Sequence, residues 1–383
     1  MIKPNPAVQF SGERLKVWYT LSGYNEEDAR MIANFICVED TIEFPHELVE
    51  PGEYHDLMVG QIEQFDPLEN SKFRVLISFA VETTGFELPQ FLNVINGNIT
   101  FIPGIRVDKL ELPPSFLAAF KGPRFGRQGI RDLMGVYDRP IVSTAIKPMG
   151  LSASQLAEMA YQCALGGIDI IKDDHGLSDQ SFSPYRERIT RCVEAVQKAN
   201  QSTGYKSLFF PAVNGRMEEF MEKAHFVKEQ GADGIMVMPA FIGMDMARVL
   251  AEDDSLGLPI ITHPGFYGTY HSVPEFGISQ YVINGQLPRL YGADISIFPH
   301  FNGRFAPPKE QCRAAADGTE VKMGSIKESL PSPGGGVKPQ DVKIMSEFYG
   351  KDVICLAAGN LHRMGPDLTE NSRVFRQMAE ESV

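Results

Sequence analysis

From about residue 138 to its end, the sequence alternates short apolar runs with stretches that have helical spacing. Eight runs are present, at residues 140–148, 168–174, 207–213, 234–239, 258–263, 295–299, 325–331 and 353–358. Alternating strands and helices predict a parallel sheet, and eight such units predict a closed (β/α)8 barrel. The runs are apolar throughout, which is typical of parallel strands buried on both faces, and the run at 325–331 is the weakest.

The N-terminal third of the chain has a different pattern. Residues 26–35 combine acidic residues in a first turn with apolar residues at helical spacing, which predicts a helix. Residues 72–82 alternate as a half-buried strand does, and residues 88–97 continue as a helix or a turn. We therefore predict an α/β protein with a smaller N-terminal α+β domain at residues 1–125 and a C-terminal (β/α)8 TIM barrel at residues 126–383.

The net charge and the cysteine usage limit the partners and the cellular compartment that we expect for this chain. The 383-residue chain has a net charge of −13, which excludes a nucleic-acid binder more firmly than a binder of small anionic metabolites. Its five cysteines form no C-x-x-C pair and are odd in number, which favours reduced thiols in a cytoplasmic protein. The first residues lack the apolar stretch of a signal peptide, and no apolar run approaches the roughly 20 residues that span a bilayer. We expect a cytoplasmic protein that does not bind membranes.

Polar residues, together with glycines, concentrate at the C-terminal ends of the predicted barrel strands, where barrel enzymes carry out their chemistry. In chain order they are Lys147, Lys172, Asp174, His175, Asn214, His263, His300, Arg304, Gly334, Gly335, Gly336, Gly359 and Asn360. Because these strand ends meet on one rim, we predict the active site there.

The segment I-K-D-D-H-G contains the most specific local pattern. Side chains alternate along a strand, so Lys172 and Asp174 share one face. Two oxygen donors on one face suit a hard cation such as Mg2+, and a lysine supplies oxygen only when it is carbamylated. On the residues alone, a Lys–Asp salt bridge at the strand end is the favoured interpretation, because charged strand ends are common.

Three other features each have two interpretations. Lys147 ends an apolar strand, where a lysine with a lowered pKa acts as a base, or it is an ordinary rim lysine. His263 suits acid–base chemistry or anion binding, or it is structural. The glycines at 334–336 and Gly359 fit the phosphate site that barrels form with backbone N–H groups after the last two strands, or they belong to flexible loops.

Two segments resemble the RuBisCO large subunit. Residues 166–174 read G-G-I-D-I-I-K-D-D, which is similar to that family's metal-binding signature G-G-hydrophobic-D-hydrophobic-x-K-D-D-E. Residues 146–152 read I-K-P-M-G-L-S, which is similar to its I-K-P-K-x-G-L-S strand. Residues 121–141 fit the approach to the barrel, and the resemblance covers nearly the whole chain in order. The chain is identified as a member of the RuBisCO superfamily.

The resemblance implies roles where positions match. Lys172 resembles the carbamylated lysine and Asp174 the metal-ligating aspartate of an Mg2+ site. Lys147 resembles the strand-1 lysine that handles the enolisation proton.

Further roles concern the phosphorylated substrate and the partner subunit. His263 resembles the histidine that binds the distal phosphate region, and the glycines at 334–336 and Gly359 resemble the phosphate-holding loops. Glu39 and Asn98 resemble residues that a partner subunit contributes to the site, which implies a homodimer with shared active sites.

Departures from the family pattern argue against ribulose-bisphosphate carboxylation. His175 replaces the second metal-ligating carboxylate, and Met149 lies near the position of a missing second lysine in the strand-1 motif. Arg304, which is expected to bind substrate, lies where carboxylating enzymes have a lysine that steers CO2. The pattern implies a RuBisCO-like protein, form IV, of the non-photosynthetic branch.

The resemblance implies Mg2+-dependent enolate chemistry on a phosphorylated keto sugar or sugar acid. The K-D-D-H pattern favours decarboxylation of 3-oxo-isoapionate 4-phosphate in carbohydrate catabolism, with Lys147, Lys172 and His263 as catalytic residues. An enolase or isomerase that acts on a methylthio-pentulose phosphate in methionine salvage is the first alternative. A catalytically silent regulator that binds a sugar phosphate is the second, and the retained lysines argue against it.

Overall fold

A computed structural model of the chain describes residues 9–50 and 52–382, and of residues 53–55 it describes the backbone alone. The first residues, for which the sequence predicts no signal peptide, lie largely outside this part. None of the helices within the described part combines the length and apolar character needed to cross a membrane.

The described strands are β1 (Arg14–Ser22), β2 (Gln61–Leu68), β3 (Lys72–Ala80), β4 (Ile105–Glu111), β5 (Ile141–Ile146), β6 (Ile170–Asp173), β7 (Leu208–Phe210), β8 (Ile235–Val237), β9 (Ile260–Thr262), β10 (Gly277–Ile278), β11 (Ile295–Pro299), β12 (Leu330–Gly334) and β13 (Ile354–Leu356). The helices are α1 (Glu26–Glu39), α2 (Glu53–Met58), α3 (Leu88–Asn96), α4 (Pro114–Leu117), α5 (Gly126–Met134), α6 (Ala153–Leu165), α7 (Tyr185–Thr203), α8 (Met217–Glu229), α9 (Pro239–Ile242), α10 (Met244–Glu252), α11 (Gly268–His271), α12 (Leu287–Leu290), α13 (Lys309–Glu320), α14 (Asp341–Tyr349), α15 (Gly359–Arg363) and α16 (Leu368–Glu380). Short 3-10 helices at His46–Leu48, Val81–Thr84 and Asn98–Phe101 and a π-helix at Val282–Gln286 complete the elements.

The larger sheet is a closed parallel barrel. Its order is β7-β6-β5-β13-β12-β11-β9-β8, and the paired strands run parallel. A parallel bridge between Ala212, just after β7, and Met236 of β8 joins the two ends of this order. The predicted fold class, a (β/α)8 barrel beside a smaller α+β part, is confirmed.

The seventh barrel strand begins later than the sequence predicts. In the weak run at 325–331, Lys327 and Glu328 are exposed, and the strand is β12, which reads L-P-S-P-G. Two prolines argue against a central strand because proline has no N–H to donate, so the sequence pattern points to the wrong residues. Each of the other seven predicted runs contains one barrel strand.

The smaller sheet has the order β10-β4-β1-β3-β2. β1 pairs antiparallel with β3 and β4, β2 pairs antiparallel with β3, and β10 pairs parallel with β4. Because β10 comes from the chain between barrel strands β9 and β11, a piece of the predicted barrel half completes the N-terminal sheet. The division of the chain at residue 125 therefore stays a prediction.

Helix α1 extends four residues beyond its predicted end. Its N-cap, Asn25, accepts a hydrogen bond from the Asp28 N–H, and its small buried residues Ala29 and Ala33 lie in the core with the sheet. The longer helix places Glu39 at its C-terminal end.

Alternation along the barrel strands decides which side chains face the interior. On β7, Phe209 packs with the surrounding helices, whereas Phe210 and the following Ala212 belong to the apolar cluster inside the barrel. The register pairs Lys172 with Phe210, so Lys172 also faces inward. Asp174, two residues further on, continues that face at the C-terminal mouth of the barrel.

Candidate active site

Polar side chains from the first, second and fifth barrel strands meet at the mouth. The Lys147 Nζ lies 2.8 Å from the Asp174 Oδ1, and the His175 Nδ1 lies 3.4 Å from the same oxygen. The rings of His175 and His263 are stacked, with centroids 4.1 Å apart and an interplanar angle of 14°. The structure therefore brings four of the predicted site residues into one cluster.

Asp174 is the carboxylate at the centre of this cluster. Burial alone would raise its pKa, but hydrogen bonds from His175 and Lys147, together with the charges of Lys172 and Lys147, hold the pKa far below its usual range. The carboxyl group is therefore ionised at physiological pH, as a partner of an ammonium group or a metal ion must be.

Lys172 lies beneath the cluster, with 2% of its surface exposed. Its Nζ donates to the carbonyl oxygen of Asp173 at 3.1 Å and lies 3.3 Å from the Met236 Sδ. Burial lowers the pKa of Lys172 to about 8 despite the opposing effect of Asp174, and the Lys147 ammonium acts in the same direction as burial. A lysine of this kind has a neutral amine fraction near pH 7, which is the form that reacts with CO2.

The neighbouring Asp173 has a structural role. Its carboxylate is fully buried, lies 3.3 Å from the Arg188 Nε and accepts the Ala212 N–H at 3.1 Å. Arg188 also donates to the carbonyl oxygens of Ser178 and Ser183. Of the two consecutive aspartates, only Asp174 is directed to the mouth, which agrees with the alternation.

His263 lies between the charged cluster and an apolar wall. Its Nδ1 accepts the Gly265 N–H at 3.1 Å. Burial, and then the charge of Lys172, lowers the pKa of His263 well below its usual value, so the imidazole is neutral. A Cβ on Gly265 would lie 3.3 Å from the Phe241 ring and 3.4 Å from the Met238 Sδ, so this side of the mouth is lined by apolar groups.

The glycine turn after β12 has its carbonyl groups occupied. The oxygens of Gly334, Gly335 and Gly336 accept from the His300 N–H at 2.8 Å, the Arg304 N–H at 2.6 Å and the Asn360 amide at 2.6 Å, respectively. In the described turns and loops, no backbone carbonyl accepts from the N–H groups of Gly335 or Gly336. These two residues have φ values of +96° and +122°, which favour glycine and suit an anion-binding turn.

Gly359 is the first residue of α15, and the space beside its Cα is open. The Asn360 amide that follows it joins the loops after β12 and β13 through its bond to Gly336. The predicted phosphate-binding glycines are therefore neighbours in space.

Two polar residues after the sixth barrel strand lie outside the cluster. Arg304 is exposed, with its guanidinium 4.7 Å from the centroid of the Phe305 ring. His300 is fully buried beside Phe301 and Tyr349, and burial lowers its pKa to about 4. His300 is therefore a core histidine, and Arg304 contributes only its backbone N–H to the glycine turn.

The two residues predicted to serve a partner subunit lie together on the N-terminal domain. The Asn98 amide donates to the Glu39 Oε1 at 3.0 Å and to the Glu43 Oε1 at 3.1 Å. The structure thus joins Glu39 to Asn98, and neither is part of the Lys147–Asp174 cluster of its own chain.

His362 is a rim residue that the sequence analysis does not single out. It lies in α15, and burial lowers its pKa while the Lys147 ammonium acts in the same direction. A histidine three residues after Gly359, beyond the eighth strand, is the only signal in the sequence that could have indicated it.

The donor set fits a metal ion only if Lys172 is carbamylated. In the described part of the chain, no group of three or more His, Cys, Asp and Glu side chains is arranged to hold a metal. The predicted set has one carboxylate, Asp174, and one imidazole, His175. A carbamate on the buried Lys172 would add a second anionic oxygen ligand, which a hard cation requires.

Comparison with known proteins defines the class. Residues 126–299 match the family model of the ribulose bisphosphate carboxylase large chain, catalytic domain. The chain is 35% identical over 363 residues to ribulose bisphosphate carboxylase-like protein 1 of Rhodopseudomonas palustris, with 95% of this chain and 96% of that protein covered. The barrel and its K-D-D segment are therefore of the RuBisCO large-chain type.

The chain belongs to the RuBisCO-like proteins, form IV of the RuBisCO superfamily. A solved structure of a Rubisco-like protein from Rhodopseudomonas palustris superposes with a TM-score of 0.87 at 33% identity, covering 96% of this chain and 98% of that one. The chain is also 31% identical over 344 residues to 5-methylthioribulose-1-phosphate isomerase of Rhodospirillum rubrum, with 90% of each covered.

Proposed function

We propose that the protein is an Mg2+-dependent decarboxylase of a phosphorylated 3-oxo sugar acid, with 3-oxo-isoapionate 4-phosphate as its substrate. The observation that carries the proposal is the pair of amines, on Lys147 and Lys172, that flank the Asp174 carboxylate. With Lys172 carbamylated, a bound Mg2+ ion and the Lys147 ammonium would carry three positive charges against the two negative charges of Asp174 and the carbamate, which leaves a surplus of positive charge. That surplus suits a substrate that brings both a carboxylate and a phosphate.

In this proposal, the glycine turn after β12 binds the substrate phosphate. The N–H groups of Gly335 and Gly336, from which no backbone carbonyl of the described turns and loops accepts, are donors for its oxygens. β12 lies two strands from β5, three from β6 and opposite β7, so a substrate that extends from there over the mouth passes Lys147 and Asp174, which follow β5 and β6. Binding energy at the phosphate then positions the carboxylate for departure.

Asp174, His175 and a carbamate on Lys172 would hold the Mg2+ ion. When bound, the ion supplies Lewis-acid stabilisation of the charge that develops on the substrate ketone oxygen. His175 is uncharged as a ligand where a carboxylate would be anionic, so this site holds the ion less tightly than a three-anion site.

Lys147 and His263 act on the substrate directly. Departure of CO2 leaves an electron pair on the adjacent carbon as an enolate, and the Lys147 ammonium donates a proton to that carbon. The resulting amine regains its proton from solvent. The neutral His263 imidazole offers a hydrogen bond to a substrate oxygen without adding charge to the site.

One observation favours a second candidate function, an isomerase or enolase acting on a methylthio-pentulose phosphate. Phe241 and Met238 line the mouth beside His263, and the Phe266 ring packs against Phe241 with centroids 5.5 Å apart. A thioether end would bury its apolar surface there. The relative from Rhodospirillum rubrum is named for a substrate of that kind.

We also propose that a second copy of the chain covers the mouth. After seven of the eight barrel strands, a large apolar side chain is between 38% and 70% exposed on this face. These side chains are Met149, Phe182, Met217, Phe241, Phe266, Phe305 and Met364. A ring of exposed apolar groups of this extent is typical of a protein–protein interface.

The N-terminal domain carries a surface that suits this ring. Met31, Phe35 and Glu39 are spaced by four residues along α1, and Met31 and Phe35 are 62% and 40% exposed. Phe101, at 86%, lies three residues after Asn98. Docking of this face on a partner's rim would bury the apolar groups and place Glu39 and Asn98 over the partner's cluster, which makes the homodimer part of the active site.

The roles of Lys147 and Asp174 can be separated by substitution. Lys147→Met should slow CO2 release by about 10²–10⁴-fold, the usual scale for a lost general acid, without weakening Mg2+ binding measured by calorimetry. Asp174→Asn should abolish Mg2+ binding and activity together. Lys309→Met is the matched control, because this rim lysine lies over the Phe301 ring outside the cluster. Full activity in Lys147→Met would exclude the proposed proton donor.

A further inference from the structure

Asn214 occupies a position inside the mouth that the proposed chemistry does not use. Phe210 and Ala212 belong to the apolar cluster inside the barrel, whereas Phe209 and Val213 belong to the core formed with the surrounding helices. Asn214 follows Ala212 by two residues and therefore continues the inward face. Because β7 pairs with β6 through Phe210 and Lys172, Asn214, four residues after the end of β7, follows the strand next to the one that carries Lys172.

The amide of Asn214 has an unused acceptor. Its Oδ1 is buried and has no hydrogen-bond partner within the described structure. Its backbone, in contrast, is held: the Lys223 Nζ donates to the Asn214 carbonyl oxygen at 3.3 Å and lies 3.1 Å from the Glu219 carboxylate. An unpaired buried acceptor is destabilising, so a donor that enters the mouth gains a hydrogen bond that the protein alone does not make.

The position of Asn214 around the barrel determines which end of a substrate it meets. β7 is the third barrel strand and β12 the seventh, so they lie on opposite sides of the eight-stranded ring. A phosphate at Gly335 and Gly336 therefore places the far end of a short sugar chain toward Asn214. The soft χ2 torsion lets the amide turn to that end, since no hydrogen bond holds its oxygen.

We propose that Asn214 is a specificity residue whose amide oxygen accepts a hydrogen bond from a hydroxyl group at the end of the substrate remote from the phosphate. The inference rests on the proposed function for the position of the phosphate. It adds that the enzyme selects a hydroxylated terminal carbon over a deoxygenated one. A site with a buried acceptor discriminates against an analogue that lacks the donor, because the acceptor is then left unpaired.

Two sugar phosphates that differ in one hydroxyl group test this directly. Xylulose 5-phosphate and 1-deoxyxylulose 5-phosphate differ only at the carbon farthest from the phosphate. Calorimetric titration of the full-length enzyme with Mg2+ and bicarbonate should show binding of the hydroxylated sugar at least about 10-fold tighter, the effect of one hydrogen bond of about 1.4 kcal/mol. In Asn214→Leu, a similar shape without the acceptor, the two affinities should become equal.

Asn284→Leu is the matched control. Asn284 also has a buried Oδ1 without a partner among the described residues, but it lies on the π-helix at Val282–Gln286, away from the mouth. Its variant should keep the wild-type ratio of affinities. Because each ratio is measured within one protein, a partial loss of folding cancels.

The outcomes separate this inference from the proposed function. The role of Asn214 would be overturned if the wild-type enzyme bound inorganic phosphate but bound the two sugars with equal affinity. It would also be overturned if Asn214→Leu kept the wild-type ratio of the two sugar affinities. Either result would leave the phosphate site standing. A wild-type enzyme that binds neither the sugars nor inorganic phosphate would overturn both.

Discussion

Replacement of Asp40 by asparagine should stabilise the protein by an amount that grows with pH. Asp40 follows α1, its side chain is 5% exposed, and neither carboxyl oxygen has a hydrogen-bond partner within the described residues. Burial, and then the neighbouring Glu39 carboxylate, raises the pKa of Asp40 to about 8. The Ile99 N–H is near enough to oppose this shift but offsets only part of it.

The sign of the effect follows from proton binding. An aspartate in the unfolded chain has a pKa of about 3.9, so between that pH and about 8 the folded protein holds a proton that the unfolded chain releases. The free energy of unfolding therefore falls as pH rises through this window, by up to about 1.4 kcal/mol per pH unit. The upper limit at pH 7 is about 4 kcal/mol, and at pH 5 it is about 1.5 kcal/mol.

Urea unfolding of wild type and Asp40→Asn at pH 5, 6, 7 and 8 measures this difference. Protein concentration is held constant because the proposed dimer would be stabilised by mass action. The variant should gain little at pH 5 and about 1–4 kcal/mol at pH 7, with unchanged m values. Glu27→Gln, at an exposed position of the same helix, should show no such trend. A difference between wild type and Asp40→Asn that is constant from pH 5 to pH 8 would refute the reasoning.

Three further predictions concern the barrel and its site. Arg188→Met should destabilise the protein by about 3–5 kcal/mol in urea because it leaves the Asp173 carboxylate unpaired in the core, and Arg188→Met with Asp173→Asn should recover part of that loss. A mixture of Glu39→Gln and Lys172→Ala proteins should regain activity through hybrid sites, and no recovery despite proven subunit exchange would count against the shared site. Ribulose bisphosphate with labelled CO2 should give no labelled phosphoglycerate, and incorporation above background would contradict the interpretation of Met149 and Arg304.

The fold is predictable from this sequence where burial leaves a one-dimensional pattern. Parallel barrel strands are buried on both faces, so seven of them appear as apolar runs, and their order in the chain gives the barrel. β12 does not appear as an apolar run because it contains two prolines. β10 could not be predicted either, since two residues carry no periodicity and their pairing with β4 depends on tertiary contacts.

The site is predictable from the sequence to the extent that alternation along a strand determines on which face each side chain lies. It places Lys172 and Asp174 on one face, and the structure has them so. The stacking of His175 on His263 and the ion pair between Lys147 and Asp174 join residues from different strands, and no local pattern encodes such pairs. His362 was missed for the same reason, because its proximity to Lys147 follows from closure of the barrel between β13 and β5.

The central claim is that the residues at the barrel mouth catalyse the decarboxylation of a phosphorylated 3-oxo sugar acid through an enolate. The most direct test uses 3-oxo-isoapionate 4-phosphate labelled with 13C in its carboxyl group, with enzyme treated with Mg2+ and bicarbonate, in D2O. We predict release of labelled CO2 and a product with one deuterium on the carbon that carried the carboxylate. Absence of labelled CO2, together with turnover of 5-methylthioribulose 1-phosphate by the same preparation, would contradict the claim and establish the isomerase alternative.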